Sequence, residues 1–530
     1  MGWGMPARRR GAVGRFRRDE AGAGTAFGLF GLVICMMIAG VAVDFSNAWR
    51  HREILRLSAD VAAHAGASIL ARGGDRMAAL AVATGATELN TPTSVYGRVI
   101  SDPFVDIQAL HYDPASNMVS PGDSPNAIAV RLQRNGEVRN PVPTFLLGLV
   151  GQGSWNVSAM SVATVVPTGR CKAADGIFAR GRVTLDGEAV VGEGVCVHSQ
   201  DAVALPSRTS FESGSGLSMP DLADCQGNCS ELSSPGIAEA ATEANLVLPT
   251  IAEHVAHLAQ GFTDPGKDMA EEEAFFASHP LDTDLSALEE LGLDTSELEQ
   301  GDVVPLEAEV AERARAFPAG LVYDVGCGAK RPDGVLTLGG TAVQLVAEMA
   351  EDVSSTDGDD LGEGDLGDVE APEDVPFEEM ETGTAQKLRG MVLVTDCRVH
   401  LTDMADVQGA LLISTQAGQG ASFTADPGAR AGDPELGCDP ALQSFFMGQG
   451  NLKAPVGLTL SNAAFVMAGD IGVDSDASGA PVSHHGLTLH AGGTVLMSGP
   501  HVMRACATAR EDLLPKLNMI RFVLPTDPLR

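Results

Sequence analysis

Eight cysteines are the residues of this sequence whose chemistry is clearest, because all of them follow one long apolar segment near the N-terminus. They are Cys171, Cys196, Cys225, Cys229, Cys327, Cys397, Cys438 and Cys506. An even number of cysteines is typical of disulfides formed in an oxidising compartment. A metal site is the alternative, since Cys225 and Cys229 have a C-x3-C spacing, but no second C-x-x-C or H-x3-H pair lies nearby.

Proximity along the chain predicts how these cysteines pair. The apolar runs at residues 321–327 and 391–397 both end in a cysteine, so two adjacent strands would bring Cys327 beside Cys397. The predicted disulfides are Cys171–Cys196, Cys225–Cys229, Cys327–Cys397 and Cys438–Cys506. The ninth cysteine, Cys35, lies inside the apolar segment, where a lone thiol behaves as a small hydrophobic group.

Other candidate sites each lack a residue that their chemistry requires. Residues 357–365 resemble a calcium loop, but Leu361 occupies the fifth position, where an EF-hand needs an oxygen ligand. Weak, diffuse binding of divalent cations is the alternative there to a solvated acidic loop. Residues 261–267 match most of a phosphate-binding loop, but Asp268 replaces the Ser or Thr that must reach magnesium.

Catalytic patterns are also missing. His254 and His257 lie about one helical turn apart, without the H-E-x-x-H order or an evident third ligand. No G-x-S-x-G sequence occurs, and no cysteine is expected to be free as a nucleophile outside the apolar segment. We therefore predict no catalytic residue, no metal and no cofactor, and a protein that is not an enzyme.

Residues 21–43 carry no charged side chain, and as a helix they extend about 35 Å, enough to span a bilayer core of about 30 Å. Arginines are in excess before this segment, at positions Arg8, Arg9, Arg10, Arg15, Arg17 and Arg18. Fewer follow it closely, at Arg50, Arg52 and Arg56. This asymmetry predicts a cytoplasmic N-terminus and a single-pass anchor, with the bulk of the chain on the other side. A signal peptide cut after Ala42 and a prepilin-type signal with Gly14 before the cut are the alternatives.

Beyond the apolar segment, residues 49–72 are predicted to continue as a helix. An apolar stripe follows the helical spacing, formed by Ile54, Leu57, Val61 and Ala65, with Asp60 beside it. One interpretation is a stalk helix that lies on its own domain. The other is a face that packs against a homologous helix of a partner protein.

Residues 16–68 resemble the N-terminal signature of the TadE/TadG-like proteins, which belong to the tight-adherence (Tad, Flp-pilus) assembly systems. The matching elements are the basic start, Asp19-Glu20, Val43-Asp44 at the end of the span, Ser58-Ala59-Asp60 and Ala65-Gly66-Ala67. Residues 140–166 resemble the later stretch of TadG-type members. The resemblance implies an inner-membrane protein with a periplasmic domain, accessory to pilus assembly or adhesion. Some relatives carry a D-x-S-x-S metal site, but the nearest string here, residues 352–356, has Thr in place of the second Ser.

The remaining pattern predicts an α+β protein whose later part is mainly β, either solenoid-like or a sandwich. Short apolar bursts recur between Gly and polar turns from about residue 170, as the rungs of a β-solenoid do. The predicted segments are a cytoplasmic basic tail (1–20), transmembrane helix (21–43), stalk helix (44–90), small α+β domain (91–168), short-strand β region (169–235), acidic helical spacer (236–317), cysteine-containing β region (318–508) with an acidic insertion (351–382), and C-terminal tail (509–530). Within the small domain, strands are predicted at residues 104–112 and 127–134, a short helix at 143–150 and a closing strand at 155–166.

The formal net charge of −35 argues against a nucleic-acid partner, because phosphate binding needs clustered Lys and Arg. The favoured function is a membrane-anchored structural component of a Tad/Flp-type pilus assembly system, with other assembly membrane proteins as partners. An extracytoplasmic adhesin that binds a surface ligand is the alternative. An envelope hydrolase would need a site that the sequence does not show.

Overall fold

The computed structural model describes residues 21–122, 124–167, 175–244, 246–264, 269–328, 334–339, 385–418, 420–432, 437–454, 459–475, 480–506 and 512–524. It divides into two units. The first contains the chain up to Leu70, Gly74–Val165 and the C-terminal residues from Ile520, and the second contains Ala71–Gly73 and Val166–Met519.

The first unit is built from one very long helix, shorter helices and an antiparallel sheet. Its helices are α1 (Ala21–Ala71), α2 (Arg76–Asn90), α3 (Thr93–Tyr96) and α4 (Pro103–Asp106), with a 3-10 turn at Leu147–Val150. Its strands are β1 (Ile107–Asp113), β2 (Met118–Ser120), β3 (Ala127–Arg134), β4 (Val142–Pro143), β5 (Ser154–Trp155) and β6 (Val157–Pro167). β3 pairs with β1 and β6, β1 also pairs with β2, and β4 and β5 form a separate hairpin.

Small residues let α1 approach the sheet and α2 closely. The buried residues that share this core are Leu55, Ala59, Ala62, Ala63, Ala67, Ala79, Ala83, Ile107, Ile128, Val130 and Leu132. Gly66 lies at the closest point, where an added Cβ would be 3.2 Å from Ile128 Cγ1 and 3.0 Å from the Ala79 carbonyl oxygen. A larger residue at position 66 would therefore separate the helix from its own domain.

The predicted stalk helix over residues 44–90 is wrong in its extent, because the chain turns at residues 72–75. Gly73 has a φ of +84°, a conformation that favours glycine, and ends α1. Asp75 then caps α2, since its carboxylate accepts a hydrogen bond from the Ala78 N–H at 2.7 Å. The strand predicted from residue 104 begins at Ile107, because Pro103 and the Asp102 cap start the short helix α4 instead.

The second unit is mainly β. Its strands up to residue 247 are β7 (Gly176–Ala179), β8 (Val183–Asp186), β9 (Ala189–Val191), β10 (Cys196–Ser199), β11 (Val203–Leu205), β12 (Thr209–Phe211), β13 (Gly216–Met219), β14 (Gln226–Gly227), β15 (Ala241–Glu243) and β16 (Leu246–Val247). The next are β17 (Val303–Glu307), β18 (Ala316–Phe317), β19 (Val322–Gly326), β20 (Val335–Leu338), β21 (Gln386–Arg389), β22 (Val392–Thr395), β23 (Arg398–Leu401), β24 (Ala405–Gln408), β25 (Leu411–Ser414), β26 (Ala421–Ala425) and β27 (Arg430–Ala431). The last are β28 (Ser444–Gly448), β29 (Asn451–Ala454), β30 (Thr459–Met467), β31 (Ile471–Asp474), β32 (Val482–Ala491), β33 (Val495–Ser498) and β34 (His501–Arg504). A further strand, β35 (Asn518–Val523), begins in this unit and ends in the first.

The helices of this unit lie between β14 and β19. They are α5 (Ile237–Ala240), α6 (Ile251–Thr263), α7 (Ala270–Ser278), α8 (Ser286–Glu290) and α9 (Ala308–Arg313). Short 3-10 turns occupy Leu222–Asp224 and Pro440–Leu442.

Three parallel sheets wrap around one apolar interior, so this unit is a β-solenoid rather than a sandwich. Sheet A pairs, in spatial order, β17, β19, β22, β25, β28, β30, β32, β7, β10, β13 and β15. Sheet B pairs β20, β23, β26, β29, β31, β33, β8, β11 and β14. Sheet C contains two ladders, β18-β21-β24-β27-β30 and β32-β34-β9-β12.

The chain enters this solenoid in its middle. From β7 it advances through β10 and β13 to β15, at one end. It then begins again at the opposite end with β17 and advances in the same direction until β32 reaches β7. There Leu489 lies opposite Ile177, Val495 opposite Val183 and Met503 opposite Val191. We call these pairings of β32, β33 and β34 with β7, β8 and β9 the seam.

The interpretation of residues 236–317 as a solvated spacer is wrong for α6 and α7. Ile251, Val255, Leu258 and Phe262 of α6 are buried on the outer face of sheet A, together with Phe275 of α7. The strand residues they cover include Val392, Val394, Leu411 and Ile413, while the alternate residues face the interior of the solenoid. Because both faces of sheet A are buried there, its strands are continuous apolar runs.

Candidate functional site: the exit of the anchor helix

α1 has the length and composition of a membrane-spanning helix near the N-terminus, as a single-pass anchor requires. Its side chains from Gly24 to Ala39 are exposed, as a lipid-facing helix requires. Burial begins on one face only, at Gly40, Asp44 and Ala48, which are spaced four residues apart. A segment of the same unit therefore covers this face of α1 where the apolar run ends.

Asp44 holds the covering segment in place through its carboxylate. Its Oδ1 accepts the Phe145 N–H at 2.6 Å, and its Oδ2 accepts the N–H groups of Leu146 and Leu147 at 3.0 and 2.7 Å. Burial opposes ionisation of Asp44, but the three N–H donors outweigh it and hold the pKa of the carboxyl below its usual range. The side chain is thus an anion that caps the 3-10 turn at residues 147–150.

The segment held by Asp44 is the end of the β4–β5 hairpin, where Val142 pairs with Trp155. Residues 145–151 form its tip, and we refer to them as the hairpin tip. The tip closes through hydrogen bonds from the Gln152 N–H to the Leu147 carbonyl, at 3.0 Å, and from the Thr144 N–H to the Gly153 carbonyl, at 3.2 Å. Gly40 receives the tip closely, since an added Cβ there would lie 3.0 Å from Leu146 Cβ.

The residues predicted to pack against a partner helix lie further along α1, after Asp44. Leu57 and Val61 are 63% and 49% exposed, and Ile54, Asp60 and Ala65 are half-buried beside them. They are on the opposite side of α1 from Leu55, Ala59 and Ala62, which pack into the domain. The helix therefore lies on its own domain with one stripe and leaves a second apolar stripe uncovered within the described chain.

The structure brings together most of the cysteines outside the span. Disulfides join Cys225 to Cys229, Cys327 to Cys397 and Cys438 to Cys506, with Cα–Cα distances of 6.1, 5.4 and 5.3 Å. Cys196 is also disulfide-bonded, whereas its predicted partner, Cys171, lies outside the described residues. Cys35 is free and exposed on α1.

A polar cleft lies between α6 and the carboxyl ends of β19 and β22. Its volume is about 460 Å³, and its lining includes Asp324, Asp396 and Gln449. Burial raises the pKa of Asp324, and the charge of Asp396 raises it further. Asp396 Oδ1 accepts the Cys327 N–H at 2.8 Å, and the two cysteines beside it are joined in a disulfide, so this cluster offers no thiolate to a metal.

Other sequence candidates have structural roles or lie outside the described part of the chain. His254 Nε2 lies 2.9 Å from the Leu513 carbonyl oxygen, and burial lowers the pKa of this imidazole, whereas His257 is exposed. Gly261 belongs to α6, and residues 265–268 are outside the described residues. The calcium-loop-like residues 357–365, the string at 352–356 and the acidic insertion at 351–382 are outside them as well.

Two family models match the unit that contains this site. The one described as Flp pilus-assembly TadE/G-like matches residues 22–68, and the one described as Tad-like Flp pilus-assembly matches residues 58–163. The N-terminal region of the chain, residues 22–163, is therefore similar to the TadE/TadG-like family. This similarity supports a Tad/Flp pilus-associated role. The resemblance of residues 16–68 and 140–166 to this family falls on the anchor helix, on Asp44 and on the hairpin that Asp44 holds.

The solenoid matches a different family model. That model, described as a domain of unknown function, matches twice, over residues 176–342 and 340–507. No curated protein and no solved structure matches the chain. Along the solenoid, the strands of the second match (β21–β34) lie between two groups of strands of the first match. The group β17–β20 lies on one side of them, and the group β7–β15 lies on the other.

Proposed function

We propose that this chain is a membrane-anchored structural component of a Tad/Flp-type pilus assembly system and contributes to pilus biogenesis. It crosses the inner membrane once, with its N-terminus in the cytoplasm and its bulk in the periplasm. The excess of arginines before the span supports this orientation. So do the disulfides of the solenoid, because such bonds persist in oxidising compartments.

The observation that carries the proposal is the uncovered stripe on α1 directly above the span. Leu57 and Val61 present apolar surface on a rigid helix whose opposite side is fixed to its own sheet. The partner is the corresponding helix of another pilus-assembly membrane protein. Anchoring in one bilayer holds both helices at the same height, which favours lateral packing through small and apolar residues.

The proposed role of the solenoid is structural rather than catalytic. Most of its buried side chains are apolar, and disulfides close several of its turns. The cleft beside Asp324 and Asp396 holds no nucleophile and base in contact among the described residues. We propose that the solenoid is a structural module of the periplasmic part of the protein.

The test compares pilus counts in cells lacking the protein with cells that carry Leu57→Glu and Val61→Glu together. The proposal expects pili to disappear in the deletion strain, return with the wild-type chain, and fail to return with the double variant. Co-purification of Tad membrane partners should be lost in the same variant. Met77→Glu with Val82→Glu is the matched control, because these residues are also exposed and apolar but lie on α2.

Two outcomes would contradict the proposal. If pili persist without the protein while attachment to surfaces falls, the solenoid is an adhesin and the assembly role is wrong. If the Leu57 and Val61 variant restores pili and still co-purifies with its partners, the uncovered stripe is not the assembly contact.

A further inference from the structure

The hairpin tip has an unusual composition for an extracytoplasmic loop. Residues 145–151 read FLLGLVG, with no charged or polar side chain, and Thr144 and Gln152 flank them. Phe145 and Leu146 are 64% and 43% exposed, so the tip does not fold inward to bury them in its own domain. An exposed apolar cluster of this kind normally marks contact with another apolar phase.

The position of the tip beside α1 identifies that phase. Leu146 packs on Gly40, which belongs to the uncharged segment 21–43 and not to the helix above it. At 1.5 Å per residue, Gly40 is about 6 Å nearer the middle of the span than Asp44. The tip thus lies alongside the last turn of the segment that crosses the bilayer.

The backbone of the tip is also suited to lipid. Non-helical backbone is tolerated at membrane depth only where its polar groups are satisfied within the protein. The N–H groups of Phe145, Leu146 and Leu147 all donate to Asp44. The Gly151 and Gln152 N–H groups donate to carbonyls of the tip itself, at 3.2 and 3.0 Å.

We propose that the hairpin tip inserts into the periplasmic leaflet beside α1, so that the protein contacts the membrane at two points. This inference rests on the proposed anchorage by residues 21–43. Directly after the span, α1 carries side chains that suit the headgroup region of the bilayer. Phe45 and Trp49 are exposed there, and the Arg52 guanidinium lies 5.8 Å from the centre of the Trp49 ring.

A second contact has a mechanical consequence. A single helix can tilt in any direction in a bilayer, whereas a helix with an inserted tip on one side tilts only as far as the tip stays in the leaflet. The tip is fixed to the Gly40–Asp44 face of α1, and the uncovered Leu57–Val61 stripe is on the same rigid helix. Insertion of the tip therefore limits the tilt of α1 and holds this stripe at a fixed height above the bilayer.

The experiment measures depth with spin labels on the full-length protein in liposomes. Wild-type protein is labelled at the free Cys35, inside the span. Leu146→Cys and Met77→Cys are each labelled in a Cys35→Ser background. Met77 is the exposed control, because it lies on α2, beyond the far end of the stalk part of α1. Collision rates with oxygen, which concentrates in lipid, and with a water-soluble nickel complex are then compared.

Insertion predicts that the label at 146 behaves like the label at Cys35. Its collision rate with the nickel complex should be about tenfold below that of the label at 77, because a polar complex partitions poorly into hydrocarbon. If the label at 146 behaves like that at 77 while Cys35 remains protected, tip insertion is wrong and anchorage stands. If Cys35 itself is accessible to nickel, the anchorage on which both proposals rest is wrong. Phe145→Cys repeats the measurement if Leu146→Cys does not fold.

Discussion

Asp44 shows how a single side chain connects the anchor to the domain. One carboxylate serves three consecutive N–H groups, and these belong to residues about a hundred positions later in the sequence. Hydrogen bonds to an ionised acceptor are about twice as strong as those between neutral groups, so this cap holds the tip more firmly than a neutral turn would. The depressed pKa of Asp44 keeps the carboxylate ionised at neutral pH.

Asp44→Ala should release the hairpin tip without unfolding the sheet. We expect amide hydrogen exchange at residues 145–147 to accelerate by more than about tenfold, since three charge-assisted hydrogen bonds are lost together. Exchange in β3 should change little. Ser46→Ala is the matched control, because the Ser46 hydroxyl donates to a carbonyl of the same helix, that of Ala42. Unchanged exchange at 145–147 in Asp44→Ala would show that the carboxylate does not hold the tip.

Buried imidazoles should make the solenoid sensitive to mild acid. Burial lowers the pKa of His198 to about 4, and burial followed by the charge of His501 lowers the pKa of His484 to about 3. The usual pKa of histidine is 6.5, and it applies in the unfolded chain. Below that pH the imidazoles of the unfolded chain therefore bind protons, whereas the buried imidazoles of the folded chain stay neutral. Stability is therefore complete above pH 6.5 and is lost as the pH falls towards 4 and then 3.

The expected loss is about 2 kcal/mol per buried imidazole at pH 5, because this pH is about 1.5 units below the usual pKa of 6.5 and each unit contributes about 1.36 kcal/mol. Urea unfolding of the wild-type protein at pH 7.5 and pH 5 measures it. His198→Gln should reduce the difference between the two pH values, even if it lowers stability at both. The exposed His257→Gln is the control and should leave the difference unchanged. A wild-type stability that does not depend on pH in this window would contradict the argument.

At the scale of elements, the disulfides differ mainly in the length of chain they close. Cys327–Cys397 closes a separation of 70 residues, whereas Cys225–Cys229 closes one of four. The loop-entropy relation gives about 4 kcal/mol for the longer loop and about 2 kcal/mol for the shorter one. Cys327→Ser with Cys397→Ser should therefore lower the free energy of unfolding about 2 kcal/mol more than Cys225→Ser with Cys229→Ser. Equal losses in denaturant titrations would show that local packing, rather than loop closure, sets the contribution.

The sequence specifies some of these elements and is ambiguous about others. The alternation in AIAVRLQR predicts residues 127–134, and β3 spans the same Ala127–Arg134. By contrast, the frequent acidic residues across 237–306 favour a solvated spacer, and that interpretation is wrong for α6 and α7. Ile251, Val255, Leu258 and Phe262 recur at helical spacing, and this stripe is the signal for a helix packed on the solenoid. The partner of Asp44 could not be predicted, because nothing local relates residue 44 to residues 145–147.

At the scale of the molecule, the order of rungs was also beyond prediction. Each rung consists of several short apolar strands, and the sequence of one strand does not determine which other strand it pairs with. The doubly matched family model indicates two similar segments, but proximity in sequence would place them one after the other. Instead, β32–β34 pair with β7–β9, across about 310 residues. The solenoid is complete only when its last rung meets its first.

The seam should therefore make the stability of the two flanking parts interdependent. Leu489 is fully buried in the seam, opposite Ile177, so Leu489→Asp places a carboxylate in the apolar interior at a cost of several kcal/mol. Leu496 is in the same rung but faces outward with 43% exposure, and Leu496→Asp should change stability by less than about 0.5 kcal/mol.

In Leu489→Asp, hydrogen exchange should accelerate in β7–β13 as well as in β28–β32. The strands on each side of the seam then lose the neighbouring strands to which their backbones hydrogen-bond. Acceleration confined to β28–β32 would mean that the rungs from β7 onward are stable without the seam.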